Sequence, residues 1–182
     1  MGRILDDPVL IIGIGNVDRG DDGVGNFTLE CLRTRVPACV KTTQHSGEGT
    51  SLIDLWQAND TPTVYIIDAM DSGIPAGSIR CFEVHEKPLP SYFGQHNSTH
   101  AFGLAEAVEL ARSLGCLPQE LIVYGIEGQC FNFGAPLSSE VESAASRVTE
   151  LILNELADLA EIDTAILPRR TEFENIVGHD SR

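Results

Sequence analysis

One stretch, residues 9–25 (VLIIGIGNVDRGDDGVG), constrains the fold more than any other part of the chain. Four consecutive apolar residues, Val9 to Ile12, lead into a glycine-rich loop, and apolar residues then recur at helical spacing up to Pro37. A continuous apolar run is typical of a strand that is buried on both faces of a parallel sheet. The stretch therefore predicts a central strand that is joined by a tight loop to a helix.

The rest of the chain repeats this alternation of strand and helix. Further strands are predicted at residues 39–43, 63–67, 78–84 and 121–126, and further helices at residues 51–57, 98–114 and 138–159. The strand at 78–84 is expected at an edge or antiparallel, because residues 75–77 leave room only for a short turn. Strands that alternate with helices predict right-handed crossovers, and hence a three-layer α/β fold with a mainly parallel sheet.

The pattern indicates a single catalytic domain at residues 1–160. Beyond it, residues 161–182 lose helical periodicity and contain a proline and a glycine, so a flexible C-terminal tail is predicted.

Charge and cysteine content narrow the possible partners and the cellular location. The formal net charge is −15, from 27 acidic and 12 basic residues, which disfavours nucleic acid and anionic membranes as partners. Five cysteines without a C-x-x-C pair predict reduced thiols rather than a disulfide framework. The N-terminal segment is too short and too acidic for a signal peptide, and no apolar stretch is long enough for a membrane span, so a cytoplasmic location is expected.

The glycine-rich loop does not fit a phosphate-binding loop. A dinucleotide-binding loop needs a third glycine after Gly13 and Gly15, but Asp18 occupies that position. Asp21 and Asp22 lie at the helix entrance, where they would repel a phosphate, and the Gly-Lys-Ser/Thr of a P-loop is absent. The loop is therefore predicted to receive a cation or a protein group.

Three separate segments can supply ligands for such a cation. Asp21 and Asp22 follow the first strand, and Asp68 is expected to end the strand at 63–67. Because the carboxyl ends of parallel strands meet at one edge of the sheet, these acids can converge there. His100 is expected in the first turn of a helix capped by Ser98 or Thr99, where the positive helix end favours a neutral imidazole. Two carboxylates and an imidazole suit nickel, zinc or iron.

Structural roles compete with this metal site. Asp21 or Asp22 could be only a helix N-cap, Asp68 could cap a loop, and His100 could be structural. Asn16 is expected to brace the loop through its side-chain amide.

Three stretches resemble the [NiFe]-hydrogenase maturation endopeptidases, which remove a C-terminal extension from the hydrogenase large subunit. They are residues 9–25, residues 64–77 (VYIIDAMDSGIPAG) and residues 98–110 (STHAFGLAEAVEL). The set of the glycine loop with its acidic pair, a strand followed by Asp-Ala and a later single histidine is specific to the family, whereas each part alone is weak.

The resemblance implies a site, a fold and a partner. The metal-contacting positions of the family fall on Asp22, Asp68 and His100, and Asp21 is not among them. The implied fold is a five-stranded twisted sheet flanked by helices, of the phosphorylase/hydrolase-like type, in a monomeric enzyme. The implied partner is a hydrogenase large-subunit precursor that brings its own nickel, although other divalent metals can occupy such a site in vitro.

The sequence departs from the familiar pattern after the second strand. Many members have an acidic residue and Gly-Gly there, whereas this chain has His45-Ser46-Gly47-Glu48-Gly49-Thr50. A tight turn at the two glycines and a substrate contact by His45 or Glu48 are both open.

Neither a G-x-S-x-G elbow nor an H-E-x-x-H helix is present, so no known nucleophile or zinc-protease motif stands out in the sequence. A non-catalytic nickel-sensing chaperone, a metal-dependent amidase or aminopeptidase, and a nucleotide-binding module are the alternative functions.

Overall fold

The computed structural model describes residues 8–59, 61–93 and 102–161. Five strands and four long helices alternate along the chain, as the sequence predicts. They are β1 (Val9–Ile14), α1 (Val24–Arg33), β2 (Val40–His45), α2 (Gly49–Asn59), β3 (Thr63–Met70), β4 (Ile79–Glu83), α3 (Leu104–Leu114), β5 (Glu120–Glu127) and α4 (Ser139–Glu161). A 3-10 turn, Gly20–Gly23, precedes α1.

The five strands form one sheet in the order β2-β1-β3-β5-β4. All neighbouring pairs are parallel except β4 with β5, so the prediction of an antiparallel or edge strand at 78–84 is confirmed. Every residue of β1 and β3 is buried, which explains the continuous apolar runs of these two strands.

Each face of the sheet carries its own hydrophobic core. One core joins Leu10 and Ile66 to Trp56 of α2 and to α3, and the other joins Ile11 of β1 to α1 and α4. The two cores confirm the three-layer arrangement, because successive residues of β1 point to opposite faces. None of the helices in the described ranges is long and apolar enough to cross a membrane.

The strand order reverses between β1 and β3. The chain moves from β1 outward to β2, and then returns to place β3 on the other side of β1. In open α/β sheets, ligands bind beyond the carboxyl ends of the strands at such a reversal. The loop after β1 and the end of β3 meet at this point, and they carry the predicted acidic residues.

The prediction that Asp68 ends its strand is wrong. The pairing of β3 with β1 stops at the pair of Gly13 and Ile67, but the pairing with β5 continues through Asp68 to Met70. Asp68 is thus the first residue of β3 beyond its last pair with β1, which still places it at the reversal point.

The prediction that Ser98 or Thr99 caps the next helix is also wrong. The helix begins at Leu104 with Gly103 as its N-cap, and the N–H of Gly103 donates to the carboxylate of Glu106 at 3.1 Å. Leu110 and Leu114 are exposed, so the buried stripe of α3 is narrower than predicted.

No disulfide joins any of the five cysteines, all of which lie in the described residues. The predicted tail beyond residue 161 lies outside the described residues, and the division into one domain and a tail stays a prediction.

Candidate active site

Glycines let the loop after β1 pack backbone against backbone. Gly15 has a φ of +124°, and a Cβ there would collide with the carbonyl oxygen of Asp22. A Cβ on Gly25 would collide with the carbonyl oxygens of Ile14 and Ile67. The glycines therefore hold the loop and the first turn of α1 close against the ends of β1 and β3.

Asn16 fixes the Asp22 carboxylate in this loop. The backbone N–H of Asn16 donates to Oδ2 of Asp22 at 2.8 Å, and its side-chain oxygen accepts from the N–H of Asp18 at 2.9 Å. The predicted bracing role of Asn16 is confirmed. Asp22 itself is 2 % exposed.

Asp21 has a different role from its neighbour. Its buried carboxylate accepts four hydrogen bonds, from the N–H groups of Gln129, Cys130 and Ser138 and from the Ser138 hydroxyl, at 2.7 to 2.9 Å. These contacts tie the 3-10 turn to the loop between β5 and α4. Asp21 is therefore a structural residue, in agreement with its absence from the ligand set that the resemblance implies.

Neither Asp21 nor Asp22 is a helix cap. Arg19 is the N-cap of the 3-10 turn, Gly23 is the N-cap of α1, and neither end has a side-chain capping hydrogen bond. The capping alternative for the acidic pair is thus wrong.

Asp68 is a buried carboxylate with an unused oxygen. Its Oδ2 has no hydrogen-bond partner among the described residues. Burial, and secondly the nearby charge of Asp22, raise the pKa of Asp68 to about 8, against an opposing hydrogen bond from the backbone of Ala69. A buried oxygen of this kind is costly unless a proton or a cation compensates it. Asp68 therefore holds a proton at neutral pH, and a cation bound beside Asp22 would displace it.

Glu127, at the end of β5, is a buried carboxylate with a structural role at the same carboxyl edge of the sheet. It is 1 % exposed, and it accepts hydrogen bonds from the N–H and hydroxyl of Ser72 and from the N–H of Gly73, at 2.7 to 2.8 Å. Sequence reasoning did not single out Glu127, because nothing local shows that it holds the turn after β3. By contrast, Oδ2 of Asp68 accepts no hydrogen bond from the described residues.

His100 lies outside the described residues, so its place beside Asp22 and Asp68 stays a prediction. α3 begins at Leu104 with Gly103 as its N-cap, so the positive end of this helix gives no argument for a neutral imidazole at His100. The chain does reach the carboxyl edge two residues later, where the carbonyl of Phe102 accepts from the N–H of Gly49 at 3.2 Å. Within the described ranges, no group of three His, Cys, Asp or Glu side chains is arranged to hold a metal.

The segment from His45 to Thr50 leads from the end of β2 into the first turn of α2. The Glu48 carboxylate accepts from the N–H groups of Thr50 and Ser51 at 3.0 and 2.8 Å, and hydrogen bonds from these two residues hold the pKa of Glu48 well below its usual range. Gly47 has a φ of +85°, a backbone conformation that glycine adopts without strain.

His45 and Ser51 lie 3.1 Å apart, but they are not arranged as a catalytic base and nucleophile. The N–H of Gly47 donates to Nδ1 of His45 at 3.0 Å, so in the neutral ring the proton is on Nε2. Nε2 then donates to Ser51 and cannot accept its proton. Burial lowers the pKa of His45, in agreement with the neutral form.

Fold and site together define a three-layer α/β protein with two buried carboxylates, Asp22 and Asp68, at the strand-order reversal. The family described as "HycI: Hydrogenase maturation protease" matches residues 47–155, more than half of the sequence. The chain belongs to the hydrogenase maturation protease family.

Relatives named as hydrogenase expression/formation proteins agree with this assignment. The hydrogenase expression/formation protein HupD of Thiocapsa roseopersicina is 27% identical over 175 residues, which cover 94% of this chain and 75% of the relative. HupM of Azotobacter chroococcum is 29% identical over 172 residues, covering 92% and 79%.

Solved structures share the fold. The maturation protease HycI of Thermococcus kodakarensis has a TM-score of 0.63 at 24% identity, with 84% of this chain and 93% of that chain covered. The maturating endopeptidase HybD of Escherichia coli has a TM-score of 0.65 at 22% identity, with 83% and 93% covered. The predicted family and the five-stranded fold are confirmed, whereas the ligand roles of Asp22, Asp68 and His100 stay predictions.

Asp68→Asn is expected to stabilise the metal-free protein at pH 8. The folded-state pKa of Asp68 lies above its ordinary value of 3.8, so the folded state keeps a proton that the unfolded chain has released. The resulting stability is greatest below about pH 4 and is lost as the pH rises towards 8, by about 1.4 kcal/mol for each pH unit. Asparagine mimics the protonated acid at every pH.

Urea unfolding between pH 5 and pH 8 measures this difference. The free energy of unfolding should fall less steeply with pH in Asp68→Asn than in the wild type. Asp54→Asn, at an exposed position of α2, is the control and should keep the wild-type slope. Identical slopes in all three proteins would show that Asp68 is ionised in the fold.

Proposed function

We propose that this protein is an endopeptidase that removes the C-terminal extension of a [NiFe]-hydrogenase large-subunit precursor after nickel insertion. It recognises the precursor through the nickel that the precursor carries. The observation that carries the proposal is the unused, buried oxygen of Asp68 beside Asp22, in a chain that belongs to the hydrogenase maturation protease family.

The chemistry of the donor set fits a borderline divalent ion. Asp22 and Asp68 supply oxygens and His100 supplies a nitrogen, a combination that suits nickel when further ligands come from elsewhere. In this proposal the sulfur ligands come from the precursor. An arriving cation replaces the proton on Asp68, so that both carboxylates are ionised when the metal is bound. A precursor without nickel gains no binding free energy from the carboxylates of Asp22 and Asp68.

Cleavage then depends on how the bound nickel positions the scissile peptide bond. Nickel that is held on both sides fixes the scissile peptide bond against the carboxyl edge of the sheet. Metal-assisted hydrolysis can proceed by polarising the peptide carbonyl or by activating a water, with one carboxylate as the base. Either route ends with water adding to the carbonyl carbon and the C–N bond breaking. The tautomer of His45 supports such a mechanism over one that uses Ser51 as a nucleophile.

In this function the enzyme acts as a monomer in the cytoplasm, where it meets the large-subunit precursor before the hydrogenase is assembled. The large acidic excess of the chain supports a protein client over nucleic acid or an anionic membrane.

Mass spectrometry of the precursor tests the proposal. A nickel-loaded large-subunit precursor should lose its extension when incubated with the protein, and the same precursor without nickel should stay intact. Binding without cleavage would instead support the nickel-sensing chaperone. Equal cleavage of both precursor forms would contradict recognition through nickel. Hydrolysis of small peptides by the protein with its own bound metal would support the amidase or aminopeptidase.

A further inference from the structure

We propose that the precursor docks on an apolar surface next to the metal-accepting carboxylates. This docking surface consists of Val17, Phe133 and the groove between the loop after β1 and residues 135–137. The inference deepens the proposed function and depends on it, because the client is the same precursor whose nickel would reach Asp22 and Asp68.

Two exposed hydrophobic side chains mark the surface. Val17 is 63% exposed and Phe133 is 81% exposed. Among the described residues, the other large hydrophobic side chains that are exposed are Leu110 and Leu114 of α3. Aromatic residues are enriched at protein interfaces.

A groove lies beside Val17. It has a volume of about 290 Å³, and its walls include Phe27 of α1 together with Ala135, Pro136 and Leu137 of the loop before α4. This volume is at the lower end of the range of roughly 300 to 1,000 Å³ for small-molecule sites, so the groove suits one or two side chains of a protein better than a cofactor.

The two loops that form the surface are held together in advance. The N–H of Gly134 donates to the carbonyl of Asp18 at 2.7 Å, one residue beyond Phe133 and Val17 respectively. The N–H of Asp21 donates to the carbonyl of Cys130 at 2.8 Å. A surface that is already ordered loses little conformational entropy on binding, which is the property of an interface anchor.

The docking surface is continuous with the candidate active site. Asn16, whose N–H bonds to the Asp22 carboxylate, is the residue before Val17. A Cβ on Gly23 would lie 3.0 Å from the Cα of Val17, so the chain beside Asp22 packs directly under this residue. The apolar surface therefore borders the loop that carries Asp22.

These features describe the matching part of the precursor. It offers an apolar side chain to the groove, on a segment without acidic residues, because Glu30 lines the groove and the chain has a net charge of −15.

Phe133→Ala and Val17→Asp test the docking surface, with Leu114→Asp as the matched control. Leu114 is 66% exposed, like Val17, but it lies at the far end of α3. We expect KM for the nickel-loaded precursor to rise by about ten- to a hundredfold in the first two variants, with kcat changed by less than about twofold. Leu114→Asp should match the wild type, and thermal unfolding should show all three variants folded.

The affinity of each variant for the nickel-loaded precursor, measured by calorimetry, separates the two proposals. If the wild type binds the precursor without cutting it, the proposed function fails, and a weaker affinity of Phe133→Ala still supports the docking surface. If the wild type cleaves the precursor and the variants keep its KM and affinity, the docking surface is wrong while the proposed function stands. If the wild type neither binds nor cleaves, both fail.

Discussion

Asp22→Asn and Asp68→Asn are each expected to lower kcat/KM for the nickel-loaded precursor by about a hundredfold or more. Asparagine keeps the size of the side chain, but it removes the negative charge and leaves one oxygen in place of a carboxylate. The buried pair then no longer attracts an arriving cation with two negative charges. His100→Ala is expected to act in the same direction, because it removes the proposed nitrogen ligand.

Mass spectrometry of the precursor over time measures these rates. Asp54→Asn changes the charge by the same amount at an exposed position of α2, and it should process the precursor like the wild type. Asp68→Asn should be at least as stable as the wild type at neutral pH, so its loss of activity cannot be attributed to unfolding. If all three site variants cleave normally, the site assignment is wrong even though the family membership stands.

Unlike Asp68→Asn, which is expected to lose activity and keep its stability, Asp21→Ala is expected to lose much of its stability. Removal of the carboxylate leaves the N–H groups of Gln129, Cys130 and Ser138 without their buried acceptor. Each unsatisfied buried donor costs about 1 to 3 kcal/mol, so the free energy of unfolding should fall by at least about 3 kcal/mol. Asp21→Asn should also destabilise, because an amide NH₂ then faces backbone donors.

Urea unfolding at one pH measures this effect. Glu140→Ala is the matched control, because it removes an exposed carboxylate that contacts the same loop through the side chain of Gln129 at 3.2 Å. It should cost less than about 1 kcal/mol. An Asp21→Ala protein as stable as the wild type would show that the loop before α4 does not depend on this carboxylate.

The sequence predicts well where the strands lie and which of them are buried, because the patterns that indicate this are local in the sequence. The apolar runs of β1 and β3 reflect burial on both faces, and the short connection at residues 75–77 predicts the edge strand β4. The glycine loop is predicted for the same reason, since its glycines and its acidic pair are adjacent in sequence.

The rest depends on contacts between distant residues. The partners of Asp21 lie 108 to 117 residues further along the chain, so no local pattern distinguishes its role from that of Asp22. A charged residue after an apolar run predicts that the strand ends at Asp68, but pairing with β5 extends the strand to Met70. The start of α3 was misplaced because Ser98 and Thr99 are better caps by residue type, whereas Gly103 and Glu106 form the actual helix start.

The most direct test of the account is the position of a nickel ion in crystals of the protein. Crystals soaked with Ni²⁺ and measured at the nickel absorption edge should show one anomalous peak within about 2.5 Å of a carboxylate oxygen of both Asp22 and Asp68, with His100 as the third ligand. A peak at another place, or carboxylates of Asp22 and Asp68 that leave a saturating concentration of nickel unbound, would contradict the claim that this buried pair receives the metal.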